Sequence, residues 1–564
     1  FGLYLGRWRF GSFDEALALG RAVILATVLV FATNVLLGDL VPVTAAVTGG
    51  MTALVLMAAS RYLWRLVLET RRRPTDATAR RLVVFGAGDG AAQIIAQMLR
   101  DPDSPYLPVA LLDDDPRKRN LRLSGVRVGG GRARIASVAE EFGAETLLIA
   151  IPSAHADLIA EINDIAVEAG LDVKVLPPVG ELFNGVVGMG DIRDVTVADL
   201  LGRHEIETDV EAIAHYLTGK RVLVTGAGGS IGSELCRQIA AYQPPMLVLF
   251  EMNEYAMYKV DESLRESFPE LPVASVVGDI KNSRRVTQVM HQYSPALVFH
   301  AAAYKHVPLM EESNAWEAVQ NNVLGTYIVA RAAIEYGVKK FVFVSTDKAV
   351  NPTNVMGATK RLAEMVCQAL QTGSNTRFEM VRFGNVLGSA GSVIPKFQEQ
   401  IDKGGPVTVT HPEMVRYFMS IPEAAQLVLQ AASMGLGGEV FVMDMGEPVK
   451  IVDLARDMIR LSELSENEIR IVYTGLRPGE KLFEELLADD EHTRPTPHPK
   501  LRIAKAREVD PDWLEGLLDW LRNDRILGDS EVRRDLKRWV PEYQSQVRPR
   551  LTAVSSSRAA GGGT

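Results

Sequence analysis

Two segments of this 564-residue chain, "RLVVFGAGDGAAQIIAQML" and "RVLVTGAGGSIGSELCRQIA", share one order: an apolar strand, a glycine turn and a helix. Few folds accommodate that order. The turn must be tight, the backbone must come close to a ligand, and the helix must pack against the strand before it. In the first segment the pattern is G-x-G-x-x-A, with Gly86, Gly88 and Ala91 after a strand over 82–85, and a second strand, "VALLDDD", ends at Asp113. In the second segment Gly226, Gly229 and Gly232 come after a strand over 222–225, and Ser230 and Ile231 open the helix. The repeated order predicts α/β architecture with two Rossmann-like, doubly wound domains.

The second segment is the stronger signal because the strands after it end in suitable residues. "MLVLFEMNE" reads as a strand ending at Glu251, placed to grip adenosine ribose hydroxyls. An acid there favours NAD over its 2′-phosphorylated form through repulsion. "VVGDI" puts Asp279 and Ile280 at another strand end, near the adenine position, and "LVFHAAAYKHVP" runs a further strand into small residues, Ala301 and Ala302, beside the cofactor. The free N–H groups at the helix start suit a pyrophosphate. The first domain continues through "TLLIAIP" and "DVKVLPP" but shows no catalytic set, so a degenerate or regulatory nucleotide fold and a working one both stay open.

Length predicts three or four structural units. A net charge of −9 gives no reason to expect nucleic acid as a partner. Two cysteines, Cys236 and Cys367, cannot build a disulfide framework, and neither sits in a C-x-x-C pair, so no metal site is expected. Residues 22–37 and 40–60 carry no charge, which predicts transmembrane helices over about 18–37 and 41–60. Arginines flank the outer ends (Arg7, Arg9 and Arg21; Arg61, Arg65, Arg71, Arg72 and Arg73) and none sits in the connector around Gly38 and Asp39. The positive-inside rule then places both ends in the cytoplasm, in a multi-pass protein of the inner membrane with the lipid bilayer as a partner. The alternative is a pair of buried core helices. Phe1 in place of an initiator methionine suggests a longer protein. The expected organisation is a membrane region over 1–73, a Rossmann-like domain over 80–180, a connector over 181–218, a catalytic domain over 219–545 and a flexible tail over 554–564.

The stretch "STDKAVNPTNVMGATK" (345–360) raises the chemical question. Short-chain dehydrogenases carry Tyr-x-x-x-Lys. Here Lys360 is present, but Met356 stands at the tyrosine's place, and a thioether cannot exchange a proton. With "VTGAGGSIGSELCRQI", "HAAAYKHVPLMEE", "NNVLGT", "VRFGNVLGS" and "RPGEKLFEEL" in order, this stretch resembles extended short-chain dehydrogenase/reductases. The greatest similarity is to the membrane-anchored nucleotide-sugar 4,6-dehydratases of bacterial polysaccharide and glycan biosynthesis, whose long members carry Met at this position.

The resemblance implies NAD as cofactor, self-association, and a UDP-N-acetylhexosamine substrate, foremost UDP-N-acetylglucosamine. Water would be lost across C5 and C6, leaving a 4-keto-6-deoxy sugar. Asp347 is then expected as the acid for the C6 hydroxyl and Lys348 as the base at C5, flanking the sugar from different sides. Lys348 would need a lowered pKa, from burial or from positive charge such as Lys360. Thr346 would bond the C4 oxygen, and Lys360 would hold the nicotinamide ribose. Met356 would fill space, and a water held by Thr346 and Lys360 would carry off the C4 hydroxyl proton. Lys305 and His306 fall at the sugar end. Asn385 suits a sugar hydroxyl or diphosphate, Arg477 and Arg416 a phosphate, and Glu480 a ribose. Two other readings stay open: a nucleotide-sugar 4-epimerase, which needs no acid at C6, and a non-catalytic nucleotide-binding membrane protein.

Overall fold

A computed structural model describes residues 13–38, 42–71, 74, 79–152, 154–176, 188–202, 209–462, 464–487, 493–504, 511–522 and 527–545. The tail over 554–564, the arginines at 7, 9, 72 and 73, and Asp39 lie outside them. The chain divides into two compact units. One comprises 1–154 with 161–177 and 182–194, and the other comprises 195–564 with 155–160 and 178–181.

The first unit begins with two helices, α1 (Phe13–Leu36) and α2 (Val43–Arg71). The window Leu19–Leu36 of α1 has 18 residues, a mean hydropathy of 1.9 and only 17 % of its residues buried. At about 1.5 Å per residue it extends ~27 Å, close to a hydrocarbon core of ~30 Å. A helix this apolar and this exposed is not the core of its own unit. The hydroxyls of Thr27, Thr33, Thr48, Thr52 and Ser60 bond back to carbonyls one turn earlier in their own helices, so they need no water. The apolar stretch of α2 is shorter, Val47–Ser60, and falls below the ~20 residues a crossing requires. Of the two expected crossings one is supported on these grounds: among the described residues one helix has the length and apolarity of a span. The two helices touch where Gly50 has no side chain; a Cβ there would lie 2.4 Å from Thr27 Oγ1.

The sheet of the first unit is built from β1 (Arg80–Phe85), β2 (Tyr106–Leu112), β3 (Thr146–Ile149), β4 (Asp172–Val175) and β5 (Arg193–Asp194), in the order β2-β1-β3-β4-β5. All pairs are parallel except β4–β5. The acid at the end of β2, Asp113, accepts from Ala87 N at 2.7 Å, Asp115 N at 2.8 Å and Lys118 Nζ at 2.8 Å. Burial opposes its charge, but Lys118 and the two backbone N–H groups outweigh burial and hold the carboxyl below its ordinary range. The carboxylate is thus committed to its own turn and to a lysine.

The second unit carries the larger sheet: β6 (Val222–Thr225), β7 (Leu247–Glu251), β8 (Val273–Val277), β9 (Leu297–His300), β10 (Lys340–Val344), β11 (Arg377–Arg382), β12 (Val440–Met443), β13 (Thr493–Pro495) and β14 (Leu501–Ala504). Their order is β8-β7-β6-β9-β10-β11-β12-β14-β13. The strands are parallel from β8 to β12, and β14 then pairs antiparallel with both neighbours. Every residue of β6, β9, β10 and β12 is buried, as expected for parallel strands covered on both faces. The strand order reverses between β6 and β9. In open α/β sheets, ligands bind at such a switch point. Part of the stretch read as a connector belongs to this unit: helix Val210–Leu217 comes directly after Asp209, whose N–H donates to Gln430 at 2.8 Å.

Candidate active site

The glycine turn after β6 is shaped by space. Gly226 has φ +67°, and a Cβ on it would lie 2.7 Å from Ala302 Cα, so the turn and the loop after β9 nearly touch. A Cβ on Gly232 would lie 2.0 Å from Gly226 O, so the helix Ser230–Ala241 (α3) can start tight against its strand only with glycine there. Gly229 at the N-cap provides no side-chain cap. The first N–H groups of α3 therefore keep their donor capacity and its positive dipole end, which suits a pyrophosphate. Glu251 accepts from Gly228 N at 3.0 Å and Asn253 N at 2.9 Å, so the acid expected at the ribose also shapes the turn. Asp279 accepts from Lys281 N at 2.8 Å, and Ile280 is buried against Gly325. Ser230 Oγ accepts from Ala390 N at 3.3 Å, which brings the 388–392 loop to the same end. Ile231, Ala301 and Ala302 are partly buried around this cradle. These residues fit a dinucleotide.

The strand β10 ends at Val344, and the chain then turns through Thr346, Asp347 and Lys348. Asp347 is 1 % exposed. Its Oδ1 accepts from Thr346 Oγ1 at 2.8 Å and Lys348 Nζ at 3.0 Å, while Oδ2 is buried with no hydrogen-bond partner. Lys348 Nζ also donates to Asn385 Oδ1 at 3.0 Å and stands 3.7 Å from Glu484 Oε1. The expectation that Asp347 and Lys348 point to different sides is therefore corrected: past the strand end the two side chains fold toward each other.

A second correction concerns protonation. Burial pushes Lys348 down, but the carboxylates of Asp347 and Glu484 outweigh burial and hold the ammonium above its ordinary range; Arg416 opposes them. The lysine whose pKa is lowered is Lys360. Burial brings it to about 7, with partial compensation from Glu364. Lys360 Nζ donates to Val344 O at 2.6 Å and lies 3.9 Å from the centre of the Phe343 ring.

Both lysines depend on the helix Val355–Gln371 (α4). Asn354 caps it by accepting from Gly357 N at 2.7 Å. Gly357 lets the 347–349 turn rest on the helix: a Cβ there would be 2.1 Å from Lys348 O. Met356 is 4 % exposed and belongs to the apolar core beneath the site. A buried tetrad sits one turn further along. Glu364 accepts from Arg382 at 2.8 and 2.7 Å, from Arg361 at 3.0 Å and from Ser345 Oγ at 2.6 Å. It ties α4 to the ends of β10 and β11. A π-helical turn at Gln320–Leu324 directs Asn322 inward, where it bonds Tyr304 N at 2.8 Å and Thr359 Oγ1 at 3.0 Å and so orders the helix.

The other expected residues divide. Lys305 and His306 are exposed at the carboxyl end of β9, and the His306 ring lies against Gly391. Partial burial and then the Lys305 charge lower the His306 ring's pKa. Arg477 is exposed, and its N–H donates to Glu480 Oε2 at 3.1 Å in a tight turn. Arg416 departs from expectation. Its buried guanidinium is occupied by the carbonyls of Val415, Lys481 and Leu482 at 2.7, 2.7 and 3.2 Å, so it braces the 477–485 segment where a phosphate contact was expected. Sequence reasoning misses Glu484, Arg361, Glu364, Arg382 and Gly357. Glu484 stands within "RPGEKLFEEL", but no periodicity tells which of its acids turns inward.

The pattern of the polysaccharide biosynthesis protein family matches residues 222–506, and that of a CoA-binding domain matches residues 1–177. The chain is 45 % identical over 499 residues to the capsular polysaccharide biosynthesis protein CapD of Staphylococcus aureus, covering 87 % of this chain and 82 % of that one. It is 45 % identical over 478 residues to the probable polysaccharide biosynthesis protein EpsC of Bacillus subtilis (strain 168), covering 85 % and 79 %. Among solved structures, Pen from Bacillus thuringiensis is 34 % identical and covers 54 % of this chain and 98 % of its own, with a TM-score of 0.48.

Proposed function

The chain belongs to the polysaccharide biosynthesis protein family, and from that premise we propose that it is a nucleotide-sugar 4,6-dehydratase acting on UDP-N-acetylglucosamine. The observation that carries this reading is the Thr346–Asp347–Lys348 run, hydrogen-bonded side chain to side chain at the carboxyl ends of the strands. NAD held by the glycine turn, Glu251 and Asp279 would take hydride from C4 and return it at C6. The remaining work is proton transfer, and the chain has groups for each step.

Thr346 Oγ1 faces the C4 hydroxyl in this reading and already donates to Asp347. As Thr346 takes the C4 hydroxyl proton, it passes its own to Asp347. Asp347 then protonates the C6 hydroxyl, which leaves as water, while Lys348, which must first give up the proton its carboxylate neighbours favour, takes the C5 proton. Lys348 gives that proton back to C5 once C6 is reduced. The proton lost from the C4 hydroxyl thus departs in the water, and Asp347 and Lys348 return to their starting states. No tyrosine is needed, and the direct Thr346–Asp347 bond replaces the water route expected from the sequence. Lys360, brought by burial to about 7, would be able to carry or release a proton near neutral pH beside the nicotinamide ribose. Arg477 and Glu480 would take the UDP end, and α1 would hold the enzyme at a lipid bilayer with this unit in the cytoplasm.

The test supplies the full-length protein with UDP-N-acetylglucosamine and NAD, with Lys348→Ala alongside, and tracks the product by mass. Loss of one water in the wild type, at least ~100-fold slower in the variant, is expected. An unchanged mass with a new C4 epimer would move the reading to an epimerase.

A further inference from the structure

Four charged side chains link the proposed nucleotide end to the proposed base. Lys348 Nζ lies 3.7 Å from Glu484 Oε1, Arg416 Nε lies 3.8 Å from that same oxygen, and Arg416 Nη2 lies 3.9 Å from Glu480 Oε1. All three separations are ion pairs longer than a direct hydrogen bond, so the carboxylate of Glu484 is shared between two cations and Arg416 between two carboxylates. The frame around them is rigid. Arg416 is fixed by three carbonyls. The 477–485 segment is bolted to the turn just after Lys348: Thr353 and Asn354 bond Gly479 O at 2.9 and 3.1 Å, Lys481 bonds Val350 O at 3.1 Å, and Asn351 bonds Glu485 at 2.8 Å. Glu484 and Arg416 are 8 % and 5 % exposed, so solvent screens these charges little.

We propose that Glu484 is a positioning residue that sets the proton affinity of Lys348 and, through Arg416 and Glu480, couples it to occupancy of the nucleotide end. The proposal rests on the dehydratase reading for the role of Lys348. With the nucleotide end free, Arg416 is divided between Glu480 and Glu484, and Glu484 keeps part of its field on Lys348. When Glu480 turns to the ribose hydroxyls, Arg416 draws Glu484 more strongly. Lys348 then loses part of its second counter-ion and releases its proton more readily. Among the described residues, the charged groups facing Lys348 are Asp347 on its own turn, Glu484 on the 477–485 segment and Arg416 on the strand Val415–Arg416. Bound substrate would thus raise the neutral fraction of the base, about tenfold for a fall of one pH unit.

The test measures the pH midpoint for acylation of Lys348 by peptide mass spectrometry in the full-length protein, with UDP alone as the probe. The wild-type midpoint is expected to fall by about one unit when UDP is added, the size of effect a carboxylate near 4 Å exerts. Glu484→Gln is expected to show the lowered midpoint without UDP and no further response to it, and Glu484→Asp to recover part of the response. UDP affinity stays within ~3-fold of wild type, since Glu484 does not touch the nucleotide. A wild-type midpoint indifferent to bound UDP would overturn the proposal, as would an unshifted midpoint in Glu484→Gln or a large loss of UDP affinity. Labelling needs no turnover, so absence of dehydrated product would count against the dehydratase reading while these midpoints still decide the coupling.

Discussion

Replacing Glu364 by glutamine removes the buried negative charge that Arg382 and Arg361 share in the core of the second unit, leaving Arg361 with Glu542. Glu364 is 0 % exposed and takes four hydrogen bonds, two from Arg382 and one each from Arg361 and Ser345. Burial opposes its ionisation, but Arg382, Arg361 and Ser345 outweigh burial and hold the carboxyl at about 2, against an ordinary 4.5. The fall from 4.5 to about 2 corresponds, at ~1.4 kcal/mol per pH unit, to roughly 3 kcal/mol of stability at neutral pH. An independent expectation for breaking one partner of a buried ion pair is ~3–5 kcal/mol. Glu364→Gln should therefore cost roughly 3–4 kcal/mol. Urea unfolding of the full-length protein, monitored by tryptophan emission, measures it; Trp316, Trp513, Trp520 and Trp539 cluster in this unit. The pH dependence has a definite sign. The folded pKa is depressed, so the stabilisation is complete above pH 4.5 and is lost as pH falls toward 2. The gap between wild type and variant should close across that window. A cost below about 1 kcal/mol, or a gap that ignores pH there, would refute the reasoning. Because Ser345 precedes Thr346 and Arg382 lies just before Asn385, activity should fall with stability.

Two further outcomes are expected. Gly232→Ala places a methyl 2.0 Å from Gly226 O, so the turn must open; NAD-induced thermal stabilisation should disappear while the fold persists in circular dichroism. Lys360→Met tests the other sign of linkage. The folded pKa of about 7 lies below the ordinary 10.5, so between them the unfolded chain holds a proton the folded one lacks, and wild-type stability rises with pH. The stability gained by the variant should thus be largest below pH 7 and shrink toward pH 10.5, read as urea midpoints at both ends; a difference independent of pH would mean Lys360 is not desolvated.

The two strand–turn–helix cassettes are local patterns, and local patterns are what a sequence reveals. Apolar runs, a glycine where φ is +67°, and an acid at the next strand end each arise from steric and burial rules acting over a few residues. The strands over 222–225 and 247–251 therefore form where the pattern puts them, and the Thr346–Asp347–Lys348 run stands out because its members are neighbours in the chain. The second membrane crossing goes without support for a related reason. Absence of charge over 40–60 is visible in the sequence, but Thr, Gly, Ser and Pro in that run dilute its apolarity, and the apolar helical stretch shrinks to Val47–Ser60.

Only the tertiary structure decides which charges meet. Lys348, Asn385, Arg416 and Glu484 come from four separate segments that converge at the ends of parallel strands, and nothing in their spacing marks the convergence. A lysine's pKa is a sum over its surroundings: burial lowers both Lys348 and Lys360, and only the carboxylates brought to Lys348 reverse the direction there. The sequence identifies the residues that can exchange protons. Their protonation states, and the partners that set them, depend on distances that exist only once the sheet has formed.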